Sequence, residues 1–256
     1  MEVYGIIGFP VKHSYSPEYF NAYFQRTGIS ATYLRFEMQD LQKLPALLRE
    51  YPQLKGFNVT APHKENILPF LDQISEEAQA IGAVNCVKIE LNPSRPYLHG
   101  YNTDVHGFQS ALLDFIPPHP IKALILGNGG ASKAVHYVLN QLHIEHLIVS
   151  RTPKKEREIS YTDSKLYLPS HQLIVNTTPL GTWPEIDNSP SIAYELLSSN
   201  HYLFDLVYNP TTTTFMKKGQ DQGAHCCNGL QMLLKQAEKN IEIWKNGNYS
   251  LFSQRI

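Results

Sequence analysis

The stretch from residue 123 to residue 149 constrains the fold most tightly. An apolar run, Ala123-Leu124-Ile125-Leu126, enters the glycine turn Gly127-Asn128-Gly129-Gly130. An amphipathic stretch over 131–142 follows, and then a second apolar run over 146–149. Strand, turn, helix and strand at these lengths make a βαβ unit, whose two strands must lie parallel with the helix crossing over them. Apolar runs at 173–176 and 202–207 extend the same sheet, and helical periodicity predicts a last helix over about 229–244.

Upstream, strand-like and helix-like segments also alternate. Residues 3–9, 32–38 and 55–59 read as strands. Ser16-Pro17 reads as the start of a helix, with Ser16 as N-cap, Pro17 at the first helical position and Gly28 at the end. Asp40 reads as the cap of a helix carrying Leu41, Leu44, Leu47 and Leu48. A turn through Pro62 should lead into a helix. Residues 83–90 and 97–101 should pair across the turn-rich segment between them. Val105, Phe108, Leu112 and Phe115 have helical spacing, and Pro117-Pro118-His119-Pro120 then stiffens the chain. The expected class is α/β with two domains, for which 256 residues are ample. The expected boundary lies near residue 102. Residues 1–101 form an α/β substrate and catalytic domain, joined by a C-terminal helix over 236–256 that packs back on it, and residues 102–235 form a Rossmann-like domain.

A formal net charge of −1 provides no field to recruit nucleic acid or an anionic membrane, and neither is expected as a partner. No apolar run reaches the roughly 18 residues of a membrane span. The opening Met-Glu-Val-Tyr-Gly lacks the basic-then-apolar pattern of a secretory leader, so a cytoplasmic location is expected. Cys86, Cys226 and Cys227 make no disulfide framework and have no metal-ligand spacing; reduced structural cysteines and no metal site are expected.

The glycine turn implies a dinucleotide. Gly127 permits the tight bend and Gly129 lets the backbone approach a pyrophosphate, which the first N–H groups of the helix would meet. Gly130 and Ala131 continue that cradle, although Ser132 stands where the third fingerprint position usually holds Gly or Ala. The second strand leads into Ser150-Arg151-Thr152, with Lys154 and Lys155 just beyond. A carboxylate there would accept from the ribose 2′-OH of NAD; its replacement by cations favours the 2′-phosphate of NADP, with Arg151, Thr152 and Lys155 as the selecting groups.

Short polar groups gather at the element ends of the first half: Ser14 and Ser16, then Asn58, Thr60 and Lys64, then Asn85, then Asn102-Thr103-Asp104. Taken singly, each has a plain structural reading. Ser16 and Asp104 are possible helix caps, Asn85 a turn residue and Lys64 a surface lysine. Taken together they suit a small polyhydroxylated anion.

In order along nearly the whole chain, the blocks His13-Ser14-Tyr15-Ser16-Pro17, Asn58-Val59-Thr60-Ala61-Pro62-His63-Lys64, Gly82-Ala83-Val84-Asn85 and Asn102-Thr103-Asp104 with Gly107 resemble the signatures of the shikimate dehydrogenase family. The cofactor turn, Asn176-Thr177-Thr178-Pro179-Leu180-Gly181 and Gly229-Leu230 to Gln236-Ala237 complete the set. The resemblance implies two α/β domains with the active site in the cleft between them, and NADPH-dependent reduction of 3-dehydroshikimate to shikimate. It implies Lys64 as catalytic acid/base with Asp104 beside it. Ser14 and Ser16 would hold the substrate carboxylate with Tyr208 nearby, and Thr60, Asn85, Asp104 and Gln236 would bind ring hydroxyls. Gly127, Asn128, Gly129, Gly130 and Ala131 would take the pyrophosphate, Ser150 to Lys155 the adenosine phosphate, and Leu206, Gly229 and Glu76 would border the nicotinamide. Ser150 replaces the Asn usual before Arg-Thr, and Lys155 stands where NADP-preferring members often carry Arg. Quinate or dual quinate/shikimate specificity is the nearest alternative. A methylene-tetrahydrofolate dehydrogenase plan and a non-catalytic dinucleotide sensor are more distant ones. A monomer or homodimer is expected.

Overall fold

The structure, a computed structural model, describes residues 1–90, 92, 95–119, 121–154 and 156–245. The chain divides into two compact units: Met1–Thr103 together with the chain from Gln236 onward, and Asp104–Lys235.

The first unit is built on a mixed sheet of six strands. These are β1 (Glu2–Gly8), β2 (Ala31–Glu37), β3 (Leu54–Val59), β4 (Gln73–Ile74), β5 (Cys86–Glu90) and β6 (Tyr97–Tyr101), ordered β2-β1-β3-β5-β6-β4. β1 pairs in parallel with β2 and β3, while β5 runs antiparallel to both β3 and β6. Alternation along β1 sends Val3 and Ile7 to one face and Tyr4 and Ile6 to the other, and both faces are covered. Val3 and Ile7 pack with Leu44 and Leu47 of helix α2 (Leu44–Glu50). Tyr4 and Ile6 pack with Phe20 and Phe24 of α1 (Ser16–Thr27) and with Ile241 and Trp244 of the last helix, α8 (Leu230–Lys245). Trp244 donates its indole N–H to the Val87 carbonyl at 3.0 Å. A Cβ at Gly56 would stand 2.3 Å from that indole nitrogen, so the glycine makes room for the ring. Between β4 and β5 lies α3 (Glu76–Ile81), capped by the Ser75 hydroxyl, which accepts from the Ala78 N–H.

The second unit is an all-parallel sheet. Its strands β7 (Ala123–Leu126), β8 (His146–Ser150), β9 (Glu158–Ser160), β10 (Leu173–Asn176), β11 (Tyr202–Asp205) and β12 (His225–Cys227) are ordered β12-β11-β10-β7-β8-β9. All four residues of β7 are fully buried, as expected for a central strand with helices on both faces. α4 (Asp104–Phe115) lays Phe108 and Phe115 against Phe204 at ring-centroid distances of 5.1 and 6.0 Å. α5 (Gly130–Gln141) buries Ala134, Val135, Val138 and Leu139. α6 (Tyr161–Ser164) and α7 (Thr214–Gln220) complete the unit.

Several expectations are corrected. The residues after Pro62 form turns and a 3-10 helix at Leu68–Phe70, not an α-helix. Pro69 has no N–H to donate to an i−4 carbonyl and its ring would crowd Glu65, so an α-helix begun after Pro62 cannot run through it. The residue capping α1 is Tyr15, and no side chain caps that helix; Ser16 lies inside it, buried. Asp40 caps a 3-10 turn, Leu41–Lys43, which runs directly into α2. The expected C-terminal helix is described only as far as Lys245, and residues 246–256 lie outside the described residues.

Candidate active site

In the first unit, β1, β3 and β6 run the same way and β5 runs against them, so the ends of three strands and the start of the fourth share one edge of the sheet. That edge carries most of the expected substrate residues. Ser14 follows β1, and its hydroxyl accepts the Ser16 N–H at 3.3 Å. Thr60 follows β3 and donates its N–H to the Ile7 carbonyl at 2.9 Å. Lys64, half-buried, is fixed through its backbone carbonyl, which accepts the Val84 N–H at 2.8 Å. Asn85 precedes β5 with its N–H on the Tyr101 carbonyl at 3.0 Å. Gln236 is buried on α8. Glu76 is exposed at the start of α3, next to the outermost strand β4. Asp104 and Tyr208 belong to the second unit; Asp104 is buried as the first residue of α4.

Buried polar residues stand behind that edge. Tyr33 donates its phenol proton to Asn58 Oδ1 at 2.7 Å, and Asn58 Nδ2 donates to the Asn85 carbonyl at 3.0 Å. The Ser16 hydroxyl bonds the same phenol, which burial holds well above the usual tyrosine range. Thr103 and Asn240 link Asn85 to Gln236. Sequence reasoning gave no role to Tyr33 or Asn240, which sit within apolar patterns of β2 and α8. Their polarity at otherwise apolar positions was the available signal.

In the second unit, strand order reverses between β7 and β10, and open parallel sheets bind ligands at such a switch point, beyond the carboxyl ends of the strands. Gly127, at φ +107, makes the bend after β7. A Cβ there would meet Thr177 Oγ1 at 2.8 Å, because the loop after β10 lies against the turn. Gly129 is the N-cap of α5 with open space where a side chain would stand, and Asn128, Gly130 and Ala131 complete the turn and first helical residues. Ser150 ends β8 with its hydroxyl buried and without a hydrogen-bond partner, and Arg151 and Thr152 follow, exposed. Lys155 lies outside the described residues. An open helix N-terminus, an unpaired hydroxyl and an exposed guanidinium with no carboxylate at the strand end suit a dinucleotide carrying a 2′-phosphate.

On the other side of the switch point, Leu206 follows β11 and Gly229 packs against it. A Cβ at Gly229 would lie 2.1 Å from the Leu206 carbonyl oxygen, a separation only glycine allows. The fully buried Asp205 carboxylate ties these parts together through neutral donors. Oδ1 accepts from Asn176 Nδ2 at 2.9 Å and from the Val207 N–H at 3.0 Å, and Oδ2 accepts the Thr213 hydroxyl at 2.5 Å. Asn176 in turn accepts from the Thr178 N–H and hydroxyl. Burial pushes the Asp205 pKa up to about 6, against the pull of its three donors. Sequence reasoning missed Asp205, although a carboxylate closing an apolar strand was visible.

Fold and site define an α/β, dinucleotide-dependent oxidoreductase. Residues 6–87 match the family model described as the shikimate dehydrogenase substrate binding domain. A shikimate dehydrogenase (NADP(+)) from Clostridium beijerinckii is 37% identical over the full length of both chains, and one from Aquifex aeolicus is 38% identical, covering 95% of this chain and 91% of its own. Among solved structures, shikimate dehydrogenase from Aquifex aeolicus superposes with a TM-score of 0.84 at 36% identity, covering 96% of this chain and 92% of its own. Shikimate 5-dehydrogenase from Thermus thermophilus, in complex with NADP(H) and shikimate, gives 0.82 at 32% identity, covering 96% and 94%. The chain belongs to the shikimate dehydrogenase family.

Proposed function

We propose that this chain catalyses the reversible, NADPH-dependent reduction of 3-dehydroshikimate to shikimate, as a cytoplasmic step of aromatic amino-acid biosynthesis. The observation that carries the reading is the gathering of Ser14, Ser16, Thr60, Lys64, Asn85 and Gln236 at one edge of the first sheet. The nicotinamide supplies or takes the hydride. Hydride arrival leaves negative charge on the ketone oxygen. The Lys64 ammonium polarises that carbonyl and gives it a proton, and in the reverse direction takes the hydroxyl proton. Ser14 and Ser16 donate to the ring carboxylate, Thr60, Asn85 and Gln236 hold ring oxygens, and Asp104 accepts from a ring hydroxyl. Arg151 and Thr152 receive the 2′-phosphate, with Lys155 as a third group.

The test follows NADPH absorbance with shikimate and quinate, each with NADP and NAD. The expected result is a kcat/KM highest for shikimate with NADP. A higher value for quinate would reassign the substrate, and no turnover with either would overturn the reading.

A further inference from the structure

The amide group of a ligand-binding Asn or Gln is ambivalent: it offers either a donor or an acceptor depending on how it is turned. In the first unit the turn is fixed from behind. The Thr103 peptide N–H, which can only donate, meets Asn85 Oδ1 at 2.7 Å, and the Thr103 hydroxyl lies 3.1 Å from the same oxygen. Oxygen therefore faces the interior at Asn85, and Nδ2 is the end directed elsewhere.

The Thr103 hydroxyl has one proton, and its shortest contact is Asn240 Oδ1 at 2.7 Å. With that oxygen engaged, Asn240 Nδ2 donates to Gln236 Oε1 at 3.0 Å. Asn240 lies one helical turn beyond Gln236 on α8 and is fully buried, so solvent plays no part in this chain of bonds. Gln236 is thus held in the same sense as Asn85, with its oxygen taken and its Nε2 as the other end.

We propose that Asn240 and Thr103 are positioning residues that lock the amides of Gln236 and Asn85 in the donor-outward sense, so that both offer N–H to oxygen atoms of the substrate ring. The inference rests on the functional reading above, and it adds a selection rule. Ring positions facing these amides must present lone pairs, as a hydroxyl or ketone oxygen does, and an ammonium there is refused.

The test is the split between KM and kcat. Asn240→Leu keeps the volume and removes the clamp. Its KM for shikimate should rise roughly tenfold, the scale of one lost buried hydrogen bond, while kcat and the KM for NADP stay within about twofold. Thr103→Val should act in the same direction, and Thr103→Ser, which restores the hydroxyl, should return the wild-type KM. In a Gln236→Ala background, Asn240→Leu should lose most of its effect, because its route to the substrate is gone. A folded Asn240→Leu enzyme with wild-type KM would overturn the proposal, as would an undiminished effect in the Gln236→Ala background. Should Asn240→Leu fail to fold, the Thr103 pair decides alone: equal KM values for Val and Ser overturn it. A wild-type enzyme that does not turn over shikimate strikes down the functional reading itself, and this inference with it.

Discussion

Lys64 is the cation among Ser14, Ser16, Thr60, Asn85 and Gln236, and backbone hydrogen bonds keep it and its neighbours in place. Its backbone is pinned to Val84, and Thr60 and Asn85 are pinned to β1 and β6. A proton donor held within reach of a developing alkoxide accounts for about 10²–10⁴ in rate. Lys64→Ala should therefore lose turnover by that order, with a shikimate KM close to wild type; steady-state kinetics with near-normal kcat would remove it from the mechanism. Arg151 acts on the other ligand. Exposed at the end of β8, it pays little desolvation cost and gives a fork that matches phosphate. Arg151→Ala should raise the KM for NADP by tenfold or more and leave that for NAD nearly unchanged. Equal increases for both would show that the side chain does not read the 2′-phosphate.

The elements show why much of this was legible. β7, the glycine turn and α5 lie where periodicity put them because an apolar tetrapeptide running into Gly127 and Gly129 has few other solutions. The short strands β4, β9 and β12 were not foreseen: two or three residues carry no period, and only their neighbours in the sheet make them strands. Polar blocks such as Asn58 to Lys64 were visible as a site, whereas Tyr33 and Asn240 were not, since their partners lie 25 and 137 residues away in the chain. Asp205, a carboxylate visible at the end of an apolar strand but without a role until its buried partners are seen, has a measurable signature. Its folded pKa of about 6 lies above the ordinary 3.8, so its share of stability is full below the unfolded value and is lost as pH rises through about 6. That difference is worth about 3 kcal/mol. Asp205→Asn removes this titration, so the melting temperature of the variant relative to wild type should climb between about pH 4 and pH 7. A difference that stays flat across that window would mean the carboxylate titrates normally.

At the scale of the whole molecule, the first unit depends on a helix from the far end of the chain. Trp244 packs at tilted angles among Tyr4, Phe20 and Tyr33 and donates to the Val87 carbonyl. Trp244→Phe keeps most of the apolar contact but removes the indole donor from the Val87 carbonyl, at a cost of about 0.5–1.5 kcal/mol. Differential scanning calorimetry should show a transition lowered by about 2–4 °C. An unchanged transition would mean that the carbonyl finds another donor.

The boundary between the units falls inside α8, between Lys235 and Gln236, and this bears on biosynthesis. One unit is a single uninterrupted stretch, whereas the other is started first and finished last. As the nascent polypeptide leaves the ribosome, residues 104–235 are all present before the earlier-made sheet receives the helix that seals it. Protease challenge of ribosome-bound chains truncated at successive lengths, each followed by a C-terminal linker long enough to fill the exit tunnel, should therefore find the later-translated stretch protected first, and the amino-terminal one only once Trp244 is included and has emerged.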